Sequence, residues 1–475
     1  MKKISMLYVL LIIGWLTLSF KESLSVNVWL IGDSTMAEKN PNTTERGWGM
    51  LFPRFVDSHK IQVKNYGKDG RSTKSFIAEG WWTKVLDSLK TGDFVIIQFG
   101  HNDEKTNSYL HTDPATSFRE NLKKFVDETR KKGATPILLT SIVRRSFDAD
   151  ENMVDSHGDF PQATRETARQ LKVLLIDMEL ITRMMENIAG WIGTREIHQF
   201  EPPKEIDNTH LCNFGAYVVA RMISEDIRKQ NILIQLNANP ALLTGASDNT
   251  LDLAYDYFAD NIKSAQKVLA SLFSASGRSD FSAAINSAQN DFDKHAFESL
   301  KEIGEATKKL RLAERTCRWT QAVPFDATFA IGNASFEEGA GWNSAVGAVV
   351  PLAWNVNMTL KNGHMSPENK NASDGYYCYS ISADAGSSVD FYQDVALLAG
   401  DYLLTVDLKK DSDNSPRFYA KAGDKTNETT AALTKDSWGE TSVEFSVPTD
   451  GIYVRLGVTA SAGLEIDNFK LMKKK

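Results

Sequence analysis

The chain has 475 residues and a formal net charge of −7, and 42% of its residues are hydrophobic. This length exceeds what one ordinary hydrophobic core takes, so two or three domains are expected. The acidic balance argues against a nucleic-acid partner, because phosphate contacts need clustered Lys and Arg. The cysteines Cys212, Cys317 and Cys378 show no C-x-x-C spacing, which argues against a zinc site or a disulfide framework.

Residues 1–25 have the composition of a secretory signal peptide. A basic start, Lys2-Lys3, precedes an apolar run over residues 6–20, and residues 23–25 offer small side chains for cleavage. The run is short for a membrane-spanning helix, and an uncleaved N-terminal anchor is the alternative. We therefore expect a secreted protein, periplasmic or extracellular, with no membrane association after cleavage.

Residues 26–235 alternate between short apolar runs and amphipathic runs. The pattern predicts five strands: Val26–Ile31, Ile61–Tyr66, Phe94–Phe99, Pro136–Ile142 and Val173–Asp177. It predicts intervening helices around Gly49–Val56, Ala78–Leu89, Ala115–Lys132, Pro161–Leu171 and Phe214–Lys229. Such alternation is typical of a parallel sheet covered by helices on both faces. We predict a doubly wound three-layer α/β/α domain whose ligand site lies beyond the carboxyl ends of the strands.

Two further regions follow. Residues 248–315 contain two runs of apolar residues at helical spacing, separated at residues 276–280, which predict a helical hairpin that links the domains. Residues 325–475 contain many short stretches of alternating polarity, punctuated by Gly, Asp, Asn and Pro. This pattern predicts an all-β jelly-roll sandwich.

Four short motifs stand near the expected site. They are "GDS" at residues 32–34, "NYGKDGRS" at 65–72, "FGHND" at 99–103 and "DNTH" at 207–210. The first three directly follow predicted strands one, two and three. If strand two lies on one side of strand one and strand three on the other, these three turns are neighbours.

Together the motifs supply the groups that acyl transfer needs. A serine hydroxyl such as that of Ser34 is a weak nucleophile until a base takes its proton, and His210 can be that base. Asp207 can accept the Nδ1 proton of His210 and fix its tautomer. Candidate oxyanion donors are the Ser34 N–H, the Gly70 N–H and the Asn102 amide.

Each motif alone has a structural explanation. Asp207 can cap the helix that follows it, Gly70 can serve only a positive φ, and Asn102 can belong to a simple Asx turn. The histidines His101 and His157 are expected to be structural or to line the substrate site.

The four motifs, in this order, resemble the four blocks of the SGNH or GDSL hydrolases. Within that superfamily, "GDST", "GHND" and "D-x-x-H", with "RRSFDADENMVDSHGDFPQATRE" at residues 144–166, resemble the rhamnogalacturonan acetylesterase branch. The resemblance covers about residues 26–230 and implies a flavodoxin-like fold. It also implies catalytic Ser34, Asp207 and His210, an oxyanion site formed by Ser34, Gly70 and Asn102, and no cofactor.

The C-terminal region resembles jelly-roll modules of polysaccharide-degrading enzymes. The similarity lies in "IGNASFEEGAGW" at residues 331–342 and "LEIDNFKL" at 464–471. Such modules often bind glycans through exposed aromatic side chains, and a structural calcium is common in them, although no carboxylate spacing here demands one. The aromatic candidates, which core packing also explains, are Trp342, Trp354, Tyr376, Tyr377 and Trp438.

The sequence thus predicts a secreted carbohydrate O-acetylesterase that acts on acetylated rhamnogalacturonan. An acidic enzyme on an acidic polysaccharide needs local cations, and Arg71, Lys74, Arg144 and Arg145 are candidates. Other possibilities are an acetyl-xylan or broad-specificity acetylesterase, and a glycan-binding surface protein with an idle hydrolase domain. A lipase or thioesterase is less favoured because no amphipathic lid is evident.

Overall fold

The computed structural model describes most of the chain after the N-terminal segment. The described residues are 26–58, 60–148, 151–201, 205–230, 249–338, 340–343, 348–359, 363–369, 372–384, 386–411 and 415–475. The predicted signal peptide, residues 1–25, lies outside them. No helix within these ranges is both long and apolar enough to cross a bilayer.

The N-terminal domain is built on a parallel sheet of five strands, as predicted. The strands are β1 (Val26–Gly32), β2 (Ile61–Asn65), β3 (Phe94–Gln98), β4 (Thr135–Leu139) and β5 (Leu174–Ile176). Their order in the sheet is β2-β1-β3-β4-β5, so the turns after β2 and β3 flank the turn after β1. The α/β fold class is confirmed.

Helices cover both faces of this sheet. Those of the domain are α1 (Trp48–Leu51), α2 (Thr73–Ala78), α3 (Trp81–Ser88), α4 (Ser117–Lys131), α5 (Phe160–Leu171), α6 (Met178–Gly193) and α7 (Asn213–Lys229). Alternate side chains of β1 enter opposite cores: Val28 and Leu30 join one cluster, while Trp29 and Ile31 join the other. The sheet is therefore buried on both faces, which explains why its strands are continuously apolar.

Three details differ from the predicted elements. The helix predicted over residues 78–89 begins later, at Trp81 of α3, and Gly80, with a φ of +76°, separates it from α2, which was not predicted. Helix α6 was not predicted. The motif at 207–210 lies in the second strand of a small antiparallel hairpin that was not predicted, β6 (His198–Glu201) and β7 (Glu205–Leu211). The pairing passes directly from Gln199–Asp207 to His198–Leu211, so residues 208–210 bulge out as a loop.

The predicted helical hairpin is a three-helix unit, composed of α8 (Thr250–Ser271), α9 (Arg278–Asp293) and α10 (Leu300–Arg318). The second predicted run is broken because His295 has a positive φ and Ser299 starts α10 with a capping box to Glu302. Its apolar face continues the α/β core, where Ile188 of α6 and Ile303 of α10 share one cluster.

Residues 325–473 form a β-sandwich, as predicted. Its first sheet contains β11 (Asn355–Thr359), β14 (Ser388–Leu397), β16 (Arg417–Ala422), β17 (Lys425–Thr430) and β19 (Ile452–Ala460). Its second contains β8 (Phe325–Asp326), β12 (His364–Glu368), β13 (Cys378–Ser382), β15 (Gly400–Lys410), β18 (Gly439–Val447) and β20 (Leu464–Lys473). A small hairpin, β9 (Ala340–Asn343) and β10 (Ala348–Pro351), extends towards the α/β domain.

The sandwich packs directly against the α/β domain. Leu352 joins a buried cluster with Val143, Phe147, Met153 and Trp191 of the α/β domain, and the rings of Phe147 and Trp191 are stacked at 5.5 Å. Strand β9 also contacts β7, the strand that carries the 207–210 motif. The C-terminal module is therefore in contact with the part of the fold that positions the candidate site.

Candidate active site

The turn after β1 places Ser34 at the carboxyl edge of the sheet. Gly32 is required there by close packing rather than by a positive φ, because a Cβ would lie 2.6 Å from the carbonyl oxygen of Gln98 on β3. Asp33 is fully buried and braces the turn: its Oδ1 accepts from the Thr35 backbone N–H at 3.0 Å and the Thr35 hydroxyl at 2.8 Å.

Asp33 also links the first motif to the third. Its Oδ2 lies 3.4 Å from Nδ1 of His101, and both side chains are buried. Burial would raise the pKa of Asp33, but the charge of His101 and the hydrogen bonds from Thr35 lower it to about 2. Burial lowers the pKa of His101 to about 4. Asp33 is therefore ionised at neutral pH.

His210 connects Ser34 to Asp207 in one line of hydrogen bonds. Nε2 of His210 lies 2.8 Å from Ser34 Oγ, and Nδ1 lies 2.6 Å from Oδ2 of Asp207. The other carboxylate oxygen of Asp207 accepts from the backbone N–H groups of Thr209, at 2.8 Å, and His210, at 3.0 Å. Because an ionised carboxylate can only accept, Nδ1 carries the proton and Nε2 faces the Ser34 hydroxyl as an acceptor.

The electrostatics reinforce this arrangement. Burial would raise the pKa of Asp207, but the hydrogen bond and charge of His210 hold it well below its usual range. Burial lowers the pKa of His210, yet the hydrogen bond and negative charge of Asp207, with a smaller contribution from Glu45, raise it above its ordinary value. The pair therefore holds a more basic imidazole beside the hydroxyl of Ser34.

The turns of the second and third motifs meet beside Ser34. The backbone N–H of Lys68 donates to the carbonyl of Gly32 at 2.9 Å, and the Asn102 amide donates to the carbonyl of Arg71 at 3.2 Å. Gly70, between Lys68 and Arg71, has a φ of +69°, which explains a glycine at this position. The amide of Asn102 has a second hydrogen, so it can also donate to a ligand.

Asp103 ties the third motif to the helix that follows the second. It is fully buried and accepts from the backbone N–H of Thr73 at 3.1 Å and from the Thr112 hydroxyl at 2.9 Å. Burial raises the pKa of Asp103 to about 7. His157 is likewise structural, since its ring nitrogens lie 2.8 Å from Glu104 Oε2 and 2.8 Å from the carbonyl oxygen of Ile142.

Glu45 is a site residue that sequence reasoning missed. Its Oε1 lies 3.6 Å from Nε2 of His210, the nitrogen that faces Ser34, and 2.5 Å from the ammonium of Lys39. Lys39 also pairs with Asp69, beside Gly70. Lys39 and Glu45 belong to the polar stretch that directly follows the first motif, and this stretch is the sequence feature that could have pointed to them. The local sequence pattern does not indicate that this stretch folds over the site.

The consecutive arginines Arg144 and Arg145 do not serve as surface cations for a substrate, which corrects that expectation. Arg144 is 5% exposed; its guanidinium lies 2.5 Å from the hydroxyl of Thr209 and 2.5 Å from Glu104. Arg145 is fully buried behind the same loop, where its backbone N–H donates to the carbonyl of Asn208 at 2.8 Å. Both residues hold the loop between Asp207 and His210.

Arg145 extends this support to the β-sandwich. Its guanidinium donates to Oδ1 of Asn208 at 3.1 Å, to the backbone carbonyl of Glu338 at 2.6 Å and to Oε2 of Glu338 at 2.5 Å. The Asn208 amide in turn donates to the backbone carbonyl of Ala340 at 2.8 Å. A segment of the C-terminal module therefore contacts the residue directly after Asp207.

The remaining candidates are spread over both domains. Arg71 is half-buried and Lys74 is exposed at the second motif. Trp354 and Tyr377 are buried, at 4% and 5% exposure, so they are core residues of the sandwich and not available to a glycan. Tyr376 is 55% exposed, Trp438 is half-buried, and the side chain of Trp342 lies outside the described part of the chain.

Comparison with known proteins places the α/β domain in a family. The model of the GDSL-like lipase/acylhydrolase family matches residues 30–199. Rhamnogalacturonan acetylesterase RhgT of Bacillus subtilis (strain 168) is 34% identical over 214 residues, which are 43% of this chain and 90% of that protein. The probable rhamnogalacturonan acetylesterase YesY of the same organism is 30% identical over 208 residues, 43% of this chain and 93% of that protein.

Solved structures with partial similarity exist for both halves. The crystal structure of YxiM from Bacillus subtilis shares 24% identity and a TM-score of 0.40, and it covers 44% of this chain and 57% of that one. The structure of TmCBM61 in complex with β-1,4-galactotriose shares 18% identity and a TM-score of 0.25, over 30% of this chain and 98% of that one.

The two relatives are 34% and 30% identical to this chain over 90% and 93% of their own lengths, and the family model matches the domain that carries the four motifs. The chain belongs to the GDSL-like lipase/acylhydrolase family and is a carboxylic-ester hydrolase.

Proposed function

We propose that this protein is a secreted carbohydrate O-acetylesterase that removes acetyl groups from rhamnogalacturonan, a pectic polysaccharide. The observation that carries the proposal is the position of His210, with Nε2 at 2.8 Å from Ser34 Oγ and Nδ1 at 2.6 Å from Asp207. These separations are within hydrogen-bond reach, which is the geometric requirement for a nucleophile, its base and the group that orients the base.

In the proposed reaction, Ser34 Oγ attacks the acetyl carbonyl while His210 accepts the hydroxyl proton. The tetrahedral intermediate collapses when the bond to the sugar oxygen breaks, and His210 gives its proton to that departing oxygen. An acetyl group then remains on Ser34. Water attacks this ester with His210 again as base, and acetate leaves with regeneration of the Ser34 hydroxyl.

The proposed oxyanion donors are the Ser34 N–H, the Gly70 N–H and the Asn102 amide. Their turns are tied together by the bonds from Lys68 to Gly32 and from Asn102 to Arg71. Donors held in place before the reaction stabilise developing charge without reorganisation, and loss of one typically costs roughly 10²–10³ in rate.

The choice of substrate rests on similarity. RhgT is named a rhamnogalacturonan acetylesterase, and it is similar over nearly its whole length. The catalytic groups do not encode the glycan, so an acetyl-xylan or broad-specificity acetylesterase is the alternative within the enzyme class. Secretion rests on the sequence of residues 1–25 alone.

The first prediction concerns Ser34. Ser34→Ala removes the proposed nucleophile, so we expect acetate release from acetylated rhamnogalacturonan and from 4-nitrophenyl acetate to fall roughly 10⁴-fold or more. The measurement is acetate release across acetylated pectins and xylans, with butyryl and octanoyl esters to test acyl length. Equal activity of wild type and Ser34→Ala would refute the mechanism, and faster cleavage of octanoyl esters would refute an acetylesterase.

A second prediction concerns the pH dependence. Because the charge of Glu45 raises the pKa of His210, Glu45→Gln should lower that pKa. A base works only when neutral, so the acidic limb of kcat/KM should move to lower pH. Glu38→Gln is the control, because Glu38 lies on the same loop as Glu45 but its carboxylate accepts a hydrogen bond from the Asn65 amide. The prediction fails if the Glu45→Gln limb stays in place or moves to higher pH.

A third prediction concerns the support from the sandwich. Glu338→Gln weakens the contacts to Arg145 and Arg195, so the loop that carries Asp207 should loosen. We expect kcat on 4-nitrophenyl acetate to fall roughly tenfold with little change in KM, because small misplacements of catalytic groups are costly. A weaker hydrogen bond between Asp207 and His210 should also lower the pKa of His210, so the acidic limb of kcat/KM should move to lower pH.

The matched control is Glu337→Gln. Glu337 precedes Glu338 but accepts from the backbone N–H groups of Tyr376 and Tyr377, both at 2.8 Å, within the sandwich. If the two variants share the same kcat and pH profile, Glu338 does not position the loop.

A further inference from the structure

A cluster of aromatic and cationic side chains begins at the turn that contains Gly70. It is formed by Lys68, Arg71, Glu79, Trp81, Lys84 and Tyr109, here called the 68–109 cluster. The backbone of this turn is bonded both to Gly32, two residues before Ser34, and to the Asn102 amide. The cluster is therefore continuous with the proposed oxyanion site.

The carboxylate of Glu79 organises the cluster. It accepts from Nε of Arg71 at 3.0 Å, from the Trp81 indole N–H at 2.8 Å and from the Tyr109 hydroxyl at 2.8 Å. Burial would raise the pKa of Glu79, but these three bonds lower it, so the carboxylate stays ionised. Tyr109 is 52% exposed, so a polar contact fixes one end of its ring while the rest faces solvent.

Trp81 positions two ammonium groups. The Nζ atoms of Lys68 and Lys84 lie 4.4 Å and 4.0 Å from the centre of its ring system, within cation–π range. In the described part of the chain, neither ammonium has a carboxylate within ion-pair distance. These two charges are thus held in place without being neutralised.

The charge of the cluster is opposite to that of the whole protein. Lys68, Arg71 and Lys84 carry positive charge around the single carboxylate of Glu79, whereas the chain has a net charge of −7. A local positive field beside an active site raises the concentration of anionic substrate and steers its approach. A polyuronide offers what this surface would recognise: repeated carboxylates and pyranose rings whose apolar faces pack on an aromatic ring.

We propose that the 68–109 cluster is a subsite for an acidic polysaccharide chain, where Lys68 and Lys84 bind uronate carboxylates and Tyr109 packs against a sugar ring. This inference rests on the proposed acetylesterase function and extends it, since it names the acidic residues that flank the acetylated sugar as the recognised feature. It also places recognition of the polysaccharide on the α/β domain, at the turn that contains the proposed oxyanion donor Gly70.

The test compares two double variants that change the net charge equally. Lys68→Gln with Lys84→Gln removes both unpaired ammonium groups of the cluster. Lys308→Gln with Lys309→Gln removes two exposed lysines on α10 and serves as the control. Each enzyme is assayed for kcat/KM on acetylated rhamnogalacturonan, on acetylated xylan as a neutral polymer, and on 4-nitrophenyl acetate.

For each enzyme, kcat/KM on rhamnogalacturonan is divided by kcat/KM on 4-nitrophenyl acetate. We expect this ratio to be roughly fivefold lower in the Lys68/Lys84 variant than in wild type, which is the effect of losing two partly exposed ion pairs. The Lys308/Lys309 control should keep the wild-type ratio, and the xylan ratio should not change in either. Added salt should lower wild-type kcat/KM on rhamnogalacturonan but not on xylan.

The outcomes separate this inference from the proposed function. If wild type cleaves none of the acetyl esters, the proposed function itself is wrong. If wild type cleaves 4-nitrophenyl acetate but the two double variants show the same rhamnogalacturonan ratio, the subsite is wrong and the esterase function stands.

Discussion

The buried guanidinium of Arg145 is the constraint on which the site depends. A buried charge is tolerated only when its hydrogen-bonding groups are satisfied, and a guanidinium has five N–H donors. All five are used here, on Asn208, Thr194, the carbonyl of Trp191, and both the carbonyl and the carboxylate of Glu338. These partners come from three parts of the chain, so their relative positions are fixed by one side chain.

This constraint joins the β-sandwich to the chemistry. Asn208 stands directly after Asp207, and it contacts both Arg145 and the sandwich residue Ala340. Arg144 bonds to Thr209 from the adjacent position. Two successive residues of the loop that orients His210, Asn208 and Thr209, are therefore fixed by hydrogen bonds. The proposed reacting atoms all belong to the α/β domain, but the C-terminal module helps to position them. The module is therefore structural support for the part of the α/β domain that carries the proposed site.

Much of the fold and the five proposed site residues followed from sequence. Parallel strands place the turns that follow them at one edge, so Ser34, Gly70 and Asn102 could be brought together from strand order alone. Other features depend on distant contacts: Glu338 meets Arg145 across 193 residues, and no local pattern encodes such a pair. Glu45 and the break of the second predicted helical run near His295 were missed for related reasons, since a loop position and a positive φ arise from tertiary packing.

The central claim, that Ser34 forms an acyl-enzyme with His210 as base, is tested most directly by mass spectrometry. The enzyme is mixed with excess 4-nitrophenyl acetate, quenched in acid within milliseconds and digested. The account predicts one added acetyl group on the peptide that contains Ser34, absent in Ser34→Ala. Active enzyme that carries acetyl only on another residue, or wild-type turnover by Ser34→Ala, would contradict it.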